Sequence, residues 1–445
     1  MGKAIDLESV IDGQGFSAMR SAVIACCFLV MFFDGYDLNI VGYVGPALIT
    51  HLHLSARTFG TVISAGLAGF MLGALVLGDL GDRFGRKRMI ILGTTFFGLL
   101  TFACLWANSL MAFLALRFLA GIGLGGAVPN AISLNLELSP RRSRATVIGV
   151  LFVGYTLGGA APGWVAAATL RDYGWHGVFL IGALPPLTIA AIMTLILPES
   201  ASYLAASNRV GELRSLLNKL SPNSVPSPDI EVVSRAVTRR GSPLLQLFAD
   251  GRGLNTGLLW LAFVSCLTSV VFVIAWSATL LTRLGLQPAR AALIASMWTT
   301  GGAFGSLAVT RLIDSYGIWV VGFWIVLAAP AIIIVGQVGT STALLFGTFL
   351  IGGFFGAGGQ VGLNAIAGMI YPAHVRATGV GWAFGIGRVG AVLGPLVGGF
   401  LISAGVPIGR LFSLMALPFL VAAVCVAALY SRSKRFPGAA SVPPN

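Results

Sequence analysis

Twelve apolar stretches, each long enough to cross a lipid bilayer, constrain the fold of this chain more than any other feature of its sequence. They fall near 21–47, 58–78, 89–107, 111–136, 145–169, 175–197, 255–281, 291–313, 318–338, 342–368, 377–403 and 409–430. Roughly 20 apolar residues span a hydrocarbon core. In lipid the backbone must satisfy its own hydrogen bonds, so each stretch is expected to be a helix. Charged residues make up only 10% of the chain, against roughly 25% in soluble domains. Lipid is therefore the solvent for most of it. The five cysteines lie in apolar runs with no ligand spacing, which reads as packing rather than a disulfide framework or metal site. No cleavable signal is expected, because the first apolar run is too long for one.

The net charge of +13 could point to nucleic acid, but its placement points to membrane topology. With the N-terminus in the cytoplasm, 21 of the 28 Lys and Arg fall in cytoplasmic segments, among them the Arg83–Arg88 cluster, Arg141, Arg142, Arg144 and Arg376. Five lie outside (Arg57, Arg171, Arg283, Arg290, Arg410) and two, Arg117 and Arg388, inside spans 4 and 11. That asymmetry obeys the positive-inside rule and predicts cytoplasmic termini.

The longest polar break, 198–254, divides the chain into equal halves. Asp82-Arg-Phe-Gly85 and Asp314-Ser-Tyr-Gly317 lie 232 residues apart, as do Arg144-Ala-Thr146 and Arg376-Ala-Thr378, while Asn130-Ala-Ile132 and Asn364-Ala-Ile366 lie 234 apart. The pattern predicts a duplicated six-helix unit: an N-terminal segment 1–20, a bundle 21–197, a cytoplasmic linker 198–254, a second bundle 255–430 and a tail 431–445. Parallel repeats of this kind place a substrate site between the halves near the midplane. Ser221–Pro228 within the linker, and the tail, read as flexible.

Gly78-Asp-Leu-Gly-Asp82-Arg83-Phe-Gly85-Arg86-Lys87-Arg88 after span 2 resembles the loop signature of the major facilitator superfamily. Arg117-x3-Gly121-x3-Gly125 is similar to that superfamily's helix-4 arginine motif. Asp34-Gly-Tyr-Asp37 in span 1, with Gly385-Ile-Gly-Arg388-Val-Gly390 and Gly394-Pro395 in span 11, narrows the resemblance to its aromatic acid:proton symporters. The second loop copy lacks the basic run usual in sugar porters. Leu197-Pro-Glu199-Ser200 is sugar-porter-like and does not discriminate.

The resemblance implies an all-α membrane protein of twelve helices in two pseudo-symmetric bundles. It would import a small aromatic carboxylate with protons by alternating access, in a bacterial inner membrane and as a monomer. It would need no cofactor beyond the coupling proton and no nucleic acid; another organic anion, a sugar or a drug remains the alternative. Nothing in the sequence suggests an enzyme or a channel.

Ionisable groups at membrane depth are costly and usually functional. Asp34 and Asp37 share a helix face and are candidates for proton coupling, taken as a pair. Arg388, and second Arg117, are candidates to grip a carboxylate through two parallel hydrogen bonds. The alternative is that these four charges only tie helices together. Tyr36 and Trp382 are candidate ring contacts, with Phe33, Trp276, Trp298, Phe355 and Phe384 beside them. Asn130, Gln360 and Asn364 are candidates to bond ring hydroxyls, or else helix glue. At the cytoplasmic surface, Asp82, Arg83, Arg86 and Glu137 are expected to gate: the resemblance sets Asp82 near the start of span 11 and pairs a loop arginine with Glu137. His51, His53, His176 and His374 read as solvated or interfacial.

Overall fold

The computed structural model describes residues 5–6, 12, 17–220, 232–233, 243–249 and 251–433. The expected flexible stretch 221–228, the tail beyond 433 and the side chain of His374 lie outside them. Twelve membrane-crossing helices are present among the described residues. Spans 1 to 4 are Ala18–Tyr43, Ala56–Phe84, Arg86–Ala103 and Leu110–Leu138. Spans 5 and 6 run as one segment, Arg144–Ile196. Spans 7 to 12 are Gly253–Arg283, Pro288–Tyr316, Trp319–Val335, Thr342–Ile370, Ala373–Ser403 and Ile408–Ser433.

Local sequence sets the ends. Ser17 and Ser55 cap spans 1 and 2 by accepting from the backbone N–H of Arg20 and Thr58 at 3.3 and 3.1 Å, as N-cap serines do. Gly174, at φ 60° and ψ −160°, is the single non-helical residue inside Arg144–Ile196 and divides span 5 from span 6. That backbone region is open only to glycine, so the chain turns here without a loop. Span 1 stops short of its expected end, and Gly45–His51 forms a separate short helix.

Glycines fix the packing, and they do so twice. A Cβ on Gly69 would lie 2.0 Å from the Phe118 carbonyl oxygen, one on Gly73 2.1 Å from that of Ile122, and one on Gly121 2.1 Å from that of Gly66. Spans 2 and 4 therefore meet backbone to backbone. Adding 232 to each number gives Gly301 on Leu350, Gly305 on Phe354 and Gly353 on Trp298, at 2.0, 1.9 and 1.8 Å between spans 8 and 10. Spans 1 and 5 touch at Gly158 on Phe32, and spans 7 and 11 at Gly390 on Val264, again 232 apart. Arg144 Nε donates to the Ser139 carbonyl and Arg376 Nε to that of Tyr371, both at 3.2 Å. The offset is thus uniform. This corrects the third sequence match: Asn130 corresponds to Gly362, and Asn364 to Ile132.

The two halves meet on the side away from the termini. Ser64 Oγ in span 2 donates to the Val392 carbonyl in span 11 at 2.8 Å, and the Arg57 N–H to Ser403 Oγ at 3.0 Å. Tyr43 of span 1 and Thr299 of span 8 are hydrogen-bonded at 3.0 Å. A Cβ on Gly163 would lie 2.4 Å from Ser296 Cβ, between spans 5 and 8. On the terminal side, span 11 faces open space at Gly385 and Gly381.

The linker carries an amphipathic helix, Val210–Leu220, with Leu213, Leu216, Leu217 and Leu220 buried. One departure from an all-helical chain is a two-residue parallel pairing of Ile5–Asp6 with Val232–Val233.

Candidate functional site

Three residues apart on a helix means a rotation of about 300°, so Asp34 and Asp37 diverge by about 60°. That divergence gives them different surroundings. Asp37 is fully buried and held by Arg117: Nη1 donates to Oδ1 at 3.0 Å, and Nη2 to Oδ2 at 2.8 Å and to the Asp37 carbonyl at 2.9 Å. Thr101 Oγ1 of span 3 donates to Oδ1 at 2.7 Å. The Arg117 guanidinium lies 6.0 Å from the Phe179 ring centroid of span 6. One carboxylate thereby joins spans 1, 3 and 4, and the Arg117 fork is occupied.

Asp34 is equally buried, at 1% exposure, yet its Oδ1 has no hydrogen-bond partner among the described residues. Arg388 from the other half is the cation whose charge acts on it. Arg388 is half-buried, its guanidinium 4.3 Å from the centroid of the Phe70 ring of span 2. Among the described residues it forms no ion pair within 4.0 Å of a carboxylate. Tyr155 of span 5 interacts with both Asp34 and Arg388. Its backbone is pressed on span 1, where a Cβ on Gly35 would meet the Tyr155 carbonyl oxygen at 2.1 Å. Gly381 and Gly385 lie two turns and one turn from Arg388 on the same face of span 11. The arrangement is an incompletely paired cation and carboxylate across the seam between the halves, approached from the terminal side.

The other candidates divide. Tyr36 is 1% exposed and donates to the Val178 carbonyl at 2.9 Å, so it ties span 1 to span 6. Asn130 is buried, its amide donating to the carbonyls of Gly126 and Leu77 at 2.8 and 3.3 Å. Both, like Arg117, serve helix contacts here and not an open surface. Gln360 and Asn364 are half-buried and face each other at 3.4 Å. Trp382 is 39% exposed and stacks on Trp260, centroids 6.1 Å apart, away from Arg388's face of the helix. Trp276 and Trp298 are fully buried; Trp276 Nε1 donates to the Pro395 carbonyl at 3.1 Å. Phe384 packs on Phe263 of span 7, Phe33 tilts against Tyr36 and Phe355 against Trp324. Tyr155 is a site residue that sequence reasoning misses, because its only signal is a hydroxyl within an apolar run.

At the membrane surface on the terminal side, Arg86 pairs with Glu137 at 2.6 Å and with Asp82 at 3.0 Å. The expected loop-to-helix pair thus forms through Arg86, while Arg83 stays exposed. Asp82 is 71% exposed rather than packed on the start of span 11. Ser200 Oγ donates to Glu137 at 2.5 Å. Glu199, whose motif does not discriminate in sequence, accepts from the Lys87 N–H at 3.0 Å and caps span 3, where the helix dipole favours an anion.

The sequence profile of the Major Facilitator Superfamily matches residues 27–329 and 258–442. A gallate transporter of Pseudomonas putida is 35% identical over 95% of each chain. The 4-hydroxybenzoate transporter PcaK of the same organism is 34% identical over 96% of each. The benzoate transport protein of Acinetobacter baylyi is 29% identical over 96% of this chain and 93% of its own. Among solved structures, an inward-facing, occupied bacterial homologue of the human lysosomal transporter Spinster superposes with a TM-score of 0.73 at 19% identity, covering 97% and 100% of the two chains. The inward-open xylose transporter XylE from E. coli gives 0.69 at 16% identity, covering 92% and 96%. With its twelve helices and duplicated packing, this chain is a multi-pass membrane protein and belongs to the Major Facilitator Superfamily, akin to that family's aromatic acid transporters.

Proposed function

We propose that this protein imports a small aromatic carboxylate together with protons by alternating access. The observation that carries the reading is the Asp34–Arg388 pair, each from a different half, with Asp34 Oδ1 unpartnered and Arg388 resting on a ring instead of an acid. A guanidinium in a low-dielectric cavity favours a carboxylate and accepts it bidentately. Phe70 already lies against that guanidinium, so an aromatic acid would find an apolar surface beside its anchor. The gallate, 4-hydroxybenzoate and benzoate carriers among the relatives point to the same class. A sugar carries no charge for Arg388 to grip.

The coupling proton rides on Asp34. Substrate bound to Arg388 takes up the cation that otherwise steadies the Asp34 carboxylate, so loading the acid favours protonation of Asp34. Asp37, held by Arg117 and Thr101, is the strut that keeps span 1 in register. Gln360 and Asn364 offer amides to ring hydroxyls. The protein works as a monomer in a bacterial inner membrane with both termini in the cytoplasm, so the approach to Arg388 opens inward and the contacts between the halves close the outer side.

The test is uptake into proteoliposomes driven by a pH gradient, acid outside, with labelled gallate, 4-hydroxybenzoate and benzoate beside glucose. Gradient-dependent uptake of a ring acid, lost in Arg388→Ala and with an ionophore, is expected. Glucose uptake, or acid uptake indifferent to Arg388, would overturn the reading.

A further inference from the structure

A cavity of about 630 Å³ opens on the outer face directly above the closed contacts. Ligand pockets commonly run from about 300 to 1,000 Å³. It is shared by the two halves: the Gly45–His51 helix and the start of span 6 line one wall, and the junction of spans 7 and 8 lines the other. The Thr279 and Trp175 side chains are packed into its wall, with Oγ1 and Nε1 themselves sealed from the opening.

The rim supplies charge and rings. Arg283 and His176 line it and are exposed. His176 stacks on Trp175 with centroids 3.9 Å apart, and His51 stands edge-on to His176 at 5.7 Å. The wider field agrees: the outer segments hold five arginines and one acid, Asp172. Such a face draws anions in and raises their local concentration.

We propose that this cavity is an outer holding site for an aromatic carboxylate. Arg283 takes the carboxylate, and the His176–Trp175 stack takes the ring edge. The site rests on the transport reading and adds a stage to it: the acid is concentrated at the closed outer gate and enters when the halves part there. It is separate from Arg388, so it sets how readily substrate is captured and not how fast it crosses.

The experiment measures influx kinetics in proteoliposomes with whichever of gallate, 4-hydroxybenzoate and benzoate the unaltered protein accumulates. Arg283→Gln should raise influx KM roughly two- to fivefold, as for an exposed arginine, with kcat unchanged. Arg283→Lys should retain most of the affinity. The influx KM of the unaltered protein should rise with ionic strength, and this dependence should flatten in Arg283→Gln. Efflux from preloaded vesicles should keep its rate. Uptake with unchanged KM and unchanged salt dependence in Arg283→Gln would overturn the holding site alone. If the unaltered protein took up no ring acid, the transport reading would fall and this inference with it.

Discussion

At the scale of single residues, the contrast between Asp34 and Asp37 is decisive. Both are buried carboxylates on one helix, but only Asp37 has a full set of donors. Removing one member of a buried pair leaves an uncompensated charge and costs about 3–5 kcal/mol. Arg117→Ala should therefore lower the thermal unfolding midpoint of the detergent-solubilised protein sharply. Asp34→Asn removes no hydrogen bond seen at Oδ1, so it should leave that midpoint near its original value while abolishing accumulation against a pH gradient. Equal destabilisation by the two changes would contradict the division of roles. The sequence marks all four membrane charges but not their pairing. Asp37 and Arg117 lie 80 positions apart, and which aspartate meets Arg117 depends on a rotation of about 60° about the helix axis. Asn130 and Asn364 mislead for a related reason: two residues of offset turn a helical side chain by about 200°, and the glycine contacts between spans 2 and 4 and between spans 8 and 10 fix the true register there.

At the scale of helices, hydropathy makes every span legible, because a bilayer imposes length and apolarity on each one. It does not reveal the join at Gly174, where a single backbone conformation replaces a loop. Nor does it say which glycines carry contacts, since a glycine facing lipid looks the same in sequence as one facing a backbone. The structure separates them. A Cβ at Gly121 or at its repeat mate Gly353 would lie within about 2 Å of a facing carbonyl oxygen, whereas one at Gly257 meets nothing within 4 Å. Gly121→Val and Gly353→Val should each cut the yield of monodisperse protein severely and to a similar degree, while Gly257→Val should match the unaltered protein on size-exclusion chromatography. A marked difference between the two repeat mates would show that the halves are not packed by one rule.

At the scale of the molecule, the two halves touch on one side only, and the proposed cycle requires that side to open. The contacts that must break include the hydrogen bonds of Ser64 to Val392, Arg57 to Ser403 and Tyr43 to Thr299, and the close packing of Gly60 on Pro395, Gly42 on Ile274 and Gly163 on Ser296. None is an ion pair, so their rupture leaves no charge unpaired. On the opposite side Asp82 stands exposed and Arg86 already bridges it to Glu137, a carboxylate free to meet the start of span 11 when that side closes. Joining the ends on the side away from the termini covalently isolates the motion. Positions 57 and 403 are in hydrogen-bond contact, and all five native cysteines are buried, so a cysteine pair placed there would cross-link under mild oxidation without competing partners. The oxidised Arg57→Cys/Ser403→Cys protein should stop taking up substrate and regain uptake when a reductant is added, with either single variant unaffected throughout. Full uptake by the cross-linked protein would mean that these ends need not separate, and transport would then have to proceed by some route other than rocking about a central site.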